Sequence, residues 1–170
     1  MIVRPVTVED RAEWVRASEV SRAFHAPWSP LWPEGATAED LFAVQLSRQL
    51  QGTCLKCVAV ADDGRIAGWF NLNDVVRSAS MCATAGWSVN VEFAGRGVAT
   101  EGVRQLLGLA FGPLGLHRVA CGIMPRNARS LRVAEKNGFR REGYAVKAVQ
   151  VAGEWEDHVL FAKLAEEHGV

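Results

Sequence analysis

The chain has 170 residues, of which 49% are hydrophobic and 22% are charged, a composition typical of one folded domain and not of a disordered polymer. Its 19 basic and 19 acidic side chains cancel, which excludes a general attraction to nucleic acid or to an anionic membrane. The longest apolar run, residues 106–116, is too short to span a bilayer, and the N-terminus lacks a basic-then-apolar signal. We therefore expect a cytoplasmic protein and a single domain over residues 1–170.

The first third of the sequence predicts two helices. Residues 7–10 and residues 37–40 each read T-x-x-D, which places a capping hydroxyl three residues before an acid. In the second helix, Phe42, Leu46 and Leu50 follow helical spacing and predict one apolar stripe that faces the core.

The middle of the chain predicts three strands. Residues 53–61 form the first, the turn sequence D-D-G-R at residues 62–65 leads into the second, and residues 80–89 form the third. Cys54 and Cys57 are three residues apart in a strand, so their side chains point to opposite faces of the sheet. We therefore favour free buried thiols for all four cysteines over a zinc site or a disulfide.

A glycine-rich turn, E-F-A-G-R-G-V-A-T-E-G at residues 92–102, connects the third strand to a predicted helix. Gly95 and Gly97 lack a Cβ, so the turn can adopt positive φ and a ligand can approach its backbone. The amides of residues 96–100 lie at the helix N-terminus, where unpaired N–H groups and the helix dipole favour an anion. The turn predicts a diphosphate site but matches neither a triphosphate loop nor a Rossmann fingerprint, because Thr100 replaces the third glycine and no Gly-Lys-Ser/Thr follows.

The remaining elements complete an α/β pattern. Residues 103–110 predict a helix, residues 118–123 a buried strand, and residues 131–137 a second helix that ends at Gly138. After the two early helices the order is three strands, helix, strand, helix and two strands. This order predicts a mixed β-sheet, of the α/β or α+β class, with helices on both faces.

Two sequence blocks resemble the GNAT superfamily of N-acetyltransferases. They are R-G-V-A-T-E at residues 96–101 and P-R-N-A-R-S-L-R-V-A-E-K-N-G-F-R-R-E-G at residues 125–143, and W-E-D-H-V-L-F at residues 155–161 also fits. The resemblance is greatest to the branch that acetylates ribosomal-protein N-termini. It implies a single N-acetyltransferase domain in which two central parallel strands splay and the pantetheine arm of acetyl-CoA enters the gap.

The resemblance also assigns residues to the cofactor, acetyl-CoA. A backbone N–H within residues 89–91 is expected to polarise the thioester carbonyl. Ala94 occupies a position where the family usually has Arg or Gln, so the backbone cradle must hold the pyrophosphate. The residues expected to bind the cofactor are Val89, Val91, Gly95, Arg96, Gly97, Val98, Ala99, Thr100, Asn127 and Ser130.

The candidates for catalysis and acceptor recognition each have two interpretations. Ser130 lies near the departing sulfur by resemblance, or it simply completes the first turn of a helix. Glu92 either holds a water that faces the amine or is a solvated carboxylate. Trp28 and Trp32, in the proline-rich segment 26–33, either wall the acceptor side of the cleft or pack on the domain.

Other polar residues are given weaker roles. Asn127 is either a helix N-cap or a contact to pantetheine. Tyr144 does not stand where the family has its acid tyrosine, and Glu142 is expected to be solvated. His25 and His117 have no recognisable partner in the sequence, so we expect surface or core roles for both. No group of His, Cys, Asp and Glu has metal-ligand spacing, and we expect no metal.

The predicted function is direct, acetyl-CoA-dependent acetylation of a primary amine, with a protein or peptide α-amine as the leading acceptor. An α-amine with a pKa near 8 is about a tenth neutral at pH 7, whereas a lysine amine is neutral at about one part in a few thousand. The alternatives are an acetyltransferase for an antibiotic, amino acid or polyamine, and a non-catalytic acyl-CoA-binding module. The expected partners are acetyl-CoA and the amine, with neither nucleic acid nor membrane, for a monomer or homodimer.

Overall fold

The backbone forms a seven-stranded sheet with four α-helices, as described for residues 1–169 by the computed structural model. The strands follow one another across the sheet in the order β1-β2-β3-β4-β5-β7-β6. Their bounds are β1 Ile2–Pro5, β2 Leu55–Val60, β3 Ile66–Val76, β4 Cys82–Val89, β5 Arg118–Ile123, β6 Arg140–Val151 and β7 Glu154–Leu164. The helices are α1 Arg11–His25, α2 Ala38–Leu50, α3 Val98–Phe111 and α4 Ala128–Lys136.

The predicted order of elements after the two early helices is confirmed, and so is the mixed sheet. The sequence patterns did not predict β1, which has four residues and pairs antiparallel with β2. The T-x-x-D sequence at residues 37–40 caps α2 directly, because the Asp40 N–H donates to Thr37 Oγ1 over 3.2 Å. The T-x-x-D sequence at residues 7–10 instead begins a 3-10 turn that leads into α1.

β4 and β5 are the parallel neighbours at the centre of the sheet, and they separate along their length. Only three backbone pairs join them, and the last is Thr84 with Ala120. β4 continues to Val89 and β5 to Ile123 without further pairing between the two. The splay of the central parallel strands is therefore confirmed, and it leaves a gap at their carboxyl ends.

The sheet separates two apolar layers. Adjacent residues of a strand point to opposite faces, so Trp69 and Phe70 enter different layers. Phe70 packs with Leu106 of α3, while Trp69 packs with Trp14 of α1 and Phe42 of α2. Helices α1 and α2 thus cover one face near β3, and α3 covers the other.

The predicted stripe on α2 is correct only in part. Phe42 is buried and Leu46 is half-buried, but Leu50 is 88% exposed. Leu50 is the last residue of α2 and lies outside the cluster that contains Phe42. The prediction for Leu50 is therefore wrong, because α2 packs through Phe42 and Leu46 and its last residue extends past the cluster that they contact.

All four cysteines are free thiols. Cys54, Cys57 and Cys121 are buried, and burial raises the pKa of Cys57 and of Cys121 to about 12. Cys82, which we expected to be buried, is partly exposed at the first position of β4. Across residues 1–169, no helix is both long enough and apolar enough to cross a membrane.

Two glycines of α3 provide a matched test of this packing. A Cβ on Gly102 would collide with the buried ring of Phe70, whereas a Cβ on Gly108 would meet nothing within 4 Å. We expect Gly102→Ala to lower the free energy of unfolding by about 1–3 kcal/mol through overpacking. Gly108→Ala should raise it by about 0.5–1 kcal/mol, because alanine favours the helix. Urea unfolding of both variants measures the difference, and equal effects would contradict this packing.

Candidate active site

Two cavities open beside the end of β4, one on each face of the sheet. The first, here called the α1–α2 cavity, has a volume of about 420 Å³. The second, here called the α3–α4 groove, has a volume of about 440 Å³. His25, Ser29 and Ser88 line both, so the two cavities meet beside these residues.

The glycine turn forms one end of the α3–α4 groove. Gly95 and Gly97 have φ values of 77° and 78°, so the predicted positive φ is confirmed at both. The first helical hydrogen bond of α3 runs from the Glu101 N–H to the Gly97 carbonyl, which leaves the amides of residues 98–100 without helical partners. Residues 98–100 line the groove, so its end presents backbone donors and the positive end of the α3 dipole.

Cationic side chains line the same groove. Arg129, Arg132 and Lys136 of α4 all contribute to its wall, and among residues 1–169 no carboxylate does. Ala94 lines the groove as well, without the side chain that the family usually has there. Arg96 does not line it, and its guanidinium instead lies 5.7 Å from the ring centroid of Phe93. The positive charge available to phosphates therefore comes from α4.

Asn127 and Ser130 both line the α3–α4 groove. The Ser130 N–H donates to Asn127 Oδ1 over 3.1 Å, so Asn127 is the N-cap of α4. This cap fixes the start of α4 against the groove. The expected contacts of Asn127 and Ser130 with the cofactor stay predictions.

Val91 and Glu92 lie beside the groove but do not line it. The Val91 N–H is already used, because it donates to Ser21 Oγ over 3.1 Å. The Glu92 carboxylate accepts from Arg16 over 2.7 Å and lies 3.6 Å from Arg65. The Arg16 hydrogen bond lowers the pKa of Glu92, which makes this carboxylate a poor proton acceptor. The structure thus does not support the roles expected for Val91 and Glu92.

His25, the last residue of α1, lies where the two cavities meet. Its Nε2 is 2.8 Å from the carbonyl oxygen of Val89. Because a carbonyl can only accept, Nε2 carries the proton, and the Nδ1 lone pair is free within the described chain. Burial lowers the pKa of His25 below its usual 6.5, so the imidazole is neutral at pH 7. The partner of His25 could not be recognised in the sequence, because only the fold brings His25 to the end of β4.

A buried polar network holds α1 against the end of β4. Ser21 Oγ donates to Asn90 Oδ1 over 3.3 Å, and Asn90 Nδ2 donates to the Ile66 carbonyl over 2.8 Å. Both Ser21 and Asn90 are fully buried. Ser21 precedes His25 by one helical turn, so the network fixes the imidazole beside Val89.

The two tryptophans of segment 26–33 lie in different places. Trp32 lines the α1–α2 cavity, and the guanidinium of Arg22 lies 4.4 Å from its ring centroid. Trp28 lines the α3–α4 groove and has Arg126 4.9 Å from its ring centroid. The two tryptophans therefore line different cavities, and their expected roles in acceptor binding stay predictions.

Tyr144 and Glu142 lie outside both cavities. The Tyr144 hydroxyl donates to Asp157 over 2.7 Å at the exposed end of the sheet. Ion pairs with Arg118 and Arg140 lower the pKa of Glu142 to about 2. Glu142 is thus ion-paired and not merely solvated.

Comparison with known proteins identifies the family. The profile described as Acetyltransferase (GNAT) domain matches residues 1–140. The probable N-acetyltransferase YjcK of Bacillus subtilis strain 168 is 35% identical, over 95% of this chain and 92% of its own. The ribosomal protein uS5-alanine N-acetyltransferase of Escherichia coli K12 is 28% identical, over 91% of this chain and 84% of its own.

Solved structures agree with this relationship. Mycobacterium smegmatis RimJ, in complex with CoA-disulfide, has a TM-score of 0.88 and 28% identity, covering 99% of this chain and 83% of its own. Spermidine N-acetyltransferase from Vibrio cholerae, in complex with CoA and spermine, has a TM-score of 0.83. Its identity is 17% over 98% of this chain and 96% of its own, a likeness that shows the fold alone.

Three observations identify the same family. The family profile matches residues 1–140, relatives align along nearly the whole chain, and the groove ends in backbone amides of α3. The chain belongs to the GNAT acetyltransferase family, in its RimJ-like branch, and is an acyltransferase that uses acetyl-CoA.

Proposed function

We propose that this protein acts in the cytoplasm as one N-acetyltransferase domain, spanning residues 1–170, and moves an acetyl group from acetyl-CoA to the α-amine of a protein or peptide. The observation that carries the proposal is the meeting of the two cavities at His25, beside the Val89 carbonyl. A donor bound in the α3–α4 groove and an acceptor bound in the α1–α2 cavity would reach each other there.

The α3–α4 groove fits the parts of acetyl-CoA. The free amides of residues 98–100 suit the pyrophosphate, and Gly95 and Gly97 leave room for it, since a Cβ on either would meet nothing within 4 Å. The side chains of Arg129, Arg132 and Lys136, on the wall of the groove, suit its phosphates. When bound, acetyl-CoA supplies the thioester carbonyl that an amine attacks.

The amide of Val89 is suited to polarise that carbonyl. The next residue, Asn90, donates its N–H to the Ala67 carbonyl, over 3.0 Å, on the β3 side. Backbone N–H groups alternate in direction along a strand, so the Val89 N–H points to the other side, into the gap left by β5. A fixed donor in such a gap stabilises negative charge that develops on the oxygen.

The neutral imidazole of His25 can accept the proton that the reaction releases. As the amine nitrogen forms its bond to the acetyl carbon, the carbon–sulfur bond breaks and the amine loses one proton. We assign that proton to Nδ1 of His25, whose Nε2 stays bonded to Val89. The sulfur leaves as a thiolate, which takes a proton from solvent, and we place the Ser130 hydroxyl as its hydrogen-bond donor.

A weak base favours an α-amine acceptor. Since the pKa of His25 lies below 6.5, its driving force for removing a proton from a lysine ammonium is small. An α-amine with a pKa near 8 is already about a tenth neutral at pH 7. The uS5-alanine acetyltransferase among the relatives supports the same acceptor class.

Product analysis tests the acceptor class. We expect mass spectrometry to find acetylated α-amines when the protein and acetyl-CoA are mixed with N-terminal peptides, lysine peptides, spermidine and aminoglycosides. Acetylation confined to lysine, spermidine or an aminoglycoside would contradict the α-amine proposal. CoA binding with no product would favour the non-catalytic alternative.

Charge removal on α4 tests the cofactor groove. Replacing Arg132 and Lys136 together by glutamine should weaken CoA binding about five- to thirtyfold at low salt, since each contact with a phosphate is worth ~0.5–1 kcal/mol. The loss should shrink as salt rises. Calorimetric titration measures it, with Arg104→Gln as control, because Arg104 pairs with Glu101 outside the groove. Equal CoA affinities for the double variant and the control would show that the phosphates do not bind to Arg132 and Lys136.

The variant His25→Gln tests the proton acceptor. Glutamine can still donate an N–H toward Val89, but it cannot take up a proton, so kcat should fall about 10²- to 10⁴-fold while CoA affinity is kept. In the wild type, kcat should fall as the pH drops through the lowered pKa of His25, because the imidazolium has no free lone pair. The variant should lack this acidic limb.

The exposed histidine His117 provides the control for this measurement, since it lies outside both cavities. His117→Gln should keep the wild-type kcat and pH profile. A His25→Gln enzyme with an unchanged acidic limb would assign the titration to another group.

A further inference from the structure

The α1–α2 cavity contains two polar atoms without a hydrogen-bond partner among residues 1–169. They are the indole Nε1 of Trp69 and the amide Oε1 of Gln45, and both residues line the cavity. Trp69 is only 8% exposed. A buried N–H donor without a partner costs about 1–3 kcal/mol, which native structures rarely leave uncompensated. A ligand that carries an acceptor atom would satisfy the indole N–H of Trp69, and a donor on the same ligand would satisfy Gln45 Oε1.

The charge of the cavity indicates what kind of acceptor atom a ligand would supply. Lys56 and Arg22 line it, and within residues 1–169 no Asp or Glu does. Neither cation forms an ion pair with a carboxylate in the described chain. The Arg22 guanidinium lies over the Trp32 ring instead.

Lys56 is unusual because it is only 5% exposed. Its ammonium donates to the neutral amide oxygen of Asn73 over 2.5 Å. The charge of Asp74 acts on this ammonium without reaching ion-pair distance. The cost of burying the ammonium is therefore only partly offset within residues 1–169, and an anion bound nearby would offset more of it. The sheet register places Lys56 opposite Asn71, beside Trp69, on the face that forms the floor of the cavity.

We infer that the α1–α2 cavity binds a carboxylate of the acceptor, through the cations Lys56 and Arg22 and the indole N–H of Trp69. The inference rests on the proposed function, because it concerns the acceptor of the same transfer. His25 lines this cavity too, and its ring centroid lies 5.7 Å from that of Trp69, a distance that one acceptor molecule with an amine and a nearby carboxylate can span. The substrate class is an amine that carries a nearby carboxylate.

Two sources supply this chemistry: an acidic side chain next to a peptide N-terminus, and the α-carboxylate of a free amino acid. Polyamines and aminoglycosides lack it, and their positive charge is repelled by Lys56 and Arg22.

Matched acceptors distinguish the sources. One pair is a peptide that begins Ala-Glu against the same peptide beginning Ala-Gln, and the other is alanine against alanine amide. We expect kcat/KM to be at least tenfold higher for the acidic member of one pair. The pair that shows the preference identifies the source, and equal kcat/KM within both pairs would overturn the inference.

Variants connect the preference to the cavity. Lys56→Met and Arg22→Gln should each lower kcat/KM for the acidic acceptor at least fivefold more than for its neutral partner. Trp69→Phe, which keeps an aromatic ring without the N–H donor, should also reduce the ratio. Arg77→Gln is the control, because Arg77 is an exposed cation that lines neither cavity. A ratio that survives both Lys56→Met and Arg22→Gln would overturn the inference.

A binding measurement separates this inference from the proposed transfer. The acetylated products are titrated into the protein with CoA present. They are the N-acetyl-Ala-Glu and N-acetyl-Ala-Gln peptides, N-acetylalanine and N-acetylalanine amide. Tighter binding of the acidic product of either pair, with the preference lost in Lys56→Met, supports the carboxylate site. This holds even if no turnover is found, and in that case only the proposed transfer fails. Equal binding within both pairs overturns the carboxylate site even if turnover is found.

Discussion

β4 and β5 share three backbone pairs and then separate, and the geometry of the site depends on this separation. If the ladder continued, β5 would take up the backbone groups on that edge of β4, and the gap would be closed. Because it stops at Thr84 and Ala120, the edge of β4 near Val89 faces space instead of a strand. The Val89 carbonyl can then bond to His25, and its amide stays available to a reacting oxygen. Both cavities meet at this point because the sheet is open here.

An open strand end needs support from elsewhere, and α1 provides it. Asn90, directly after β4, is fully buried and bonds to Ser21, to the Ile66 carbonyl and to the Ala67 carbonyl. Buried amide groups are costly unless each is paired, so this network favours one position of α1 over its neighbours. The same residues therefore stabilise the fold and hold His25 beside Val89, where the proposed transfer takes place. A substitution at Ser21 would alter catalysis through geometry, without any contact to substrate.

The sequence predicted what depends on local chemistry. Gly95 and Gly97 must accommodate positive φ, and the start of α3 follows from them, so the cofactor turn could be predicted from eleven residues. The role of His25 depends on contact with Val89, 64 residues away, and no local pattern encodes that contact. Glu92 stands next to the turn in sequence, but its carboxylate is taken by Arg16 and Arg65 from other elements. The branch of the family could be predicted, whereas the proposed proton acceptor could be identified only from the fold.

The charges of the chain sum to zero, yet both cavities have cations in their walls and no carboxylate among residues 1–169. This segregation has a consequence for proton transfer. An imidazolium that forms at His25 would be opposed by the positive charges of Lys56 and Arg22 on one side and by those of the α4 cations on the other. In the proposed complex, the phosphates of acetyl-CoA would neutralise the α4 cations. A carboxylate on the acceptor would neutralise Lys56 and Arg22, so that the base becomes effective only when both substrates are in place. Acceptor selection and catalysis would then share one electrostatic cause.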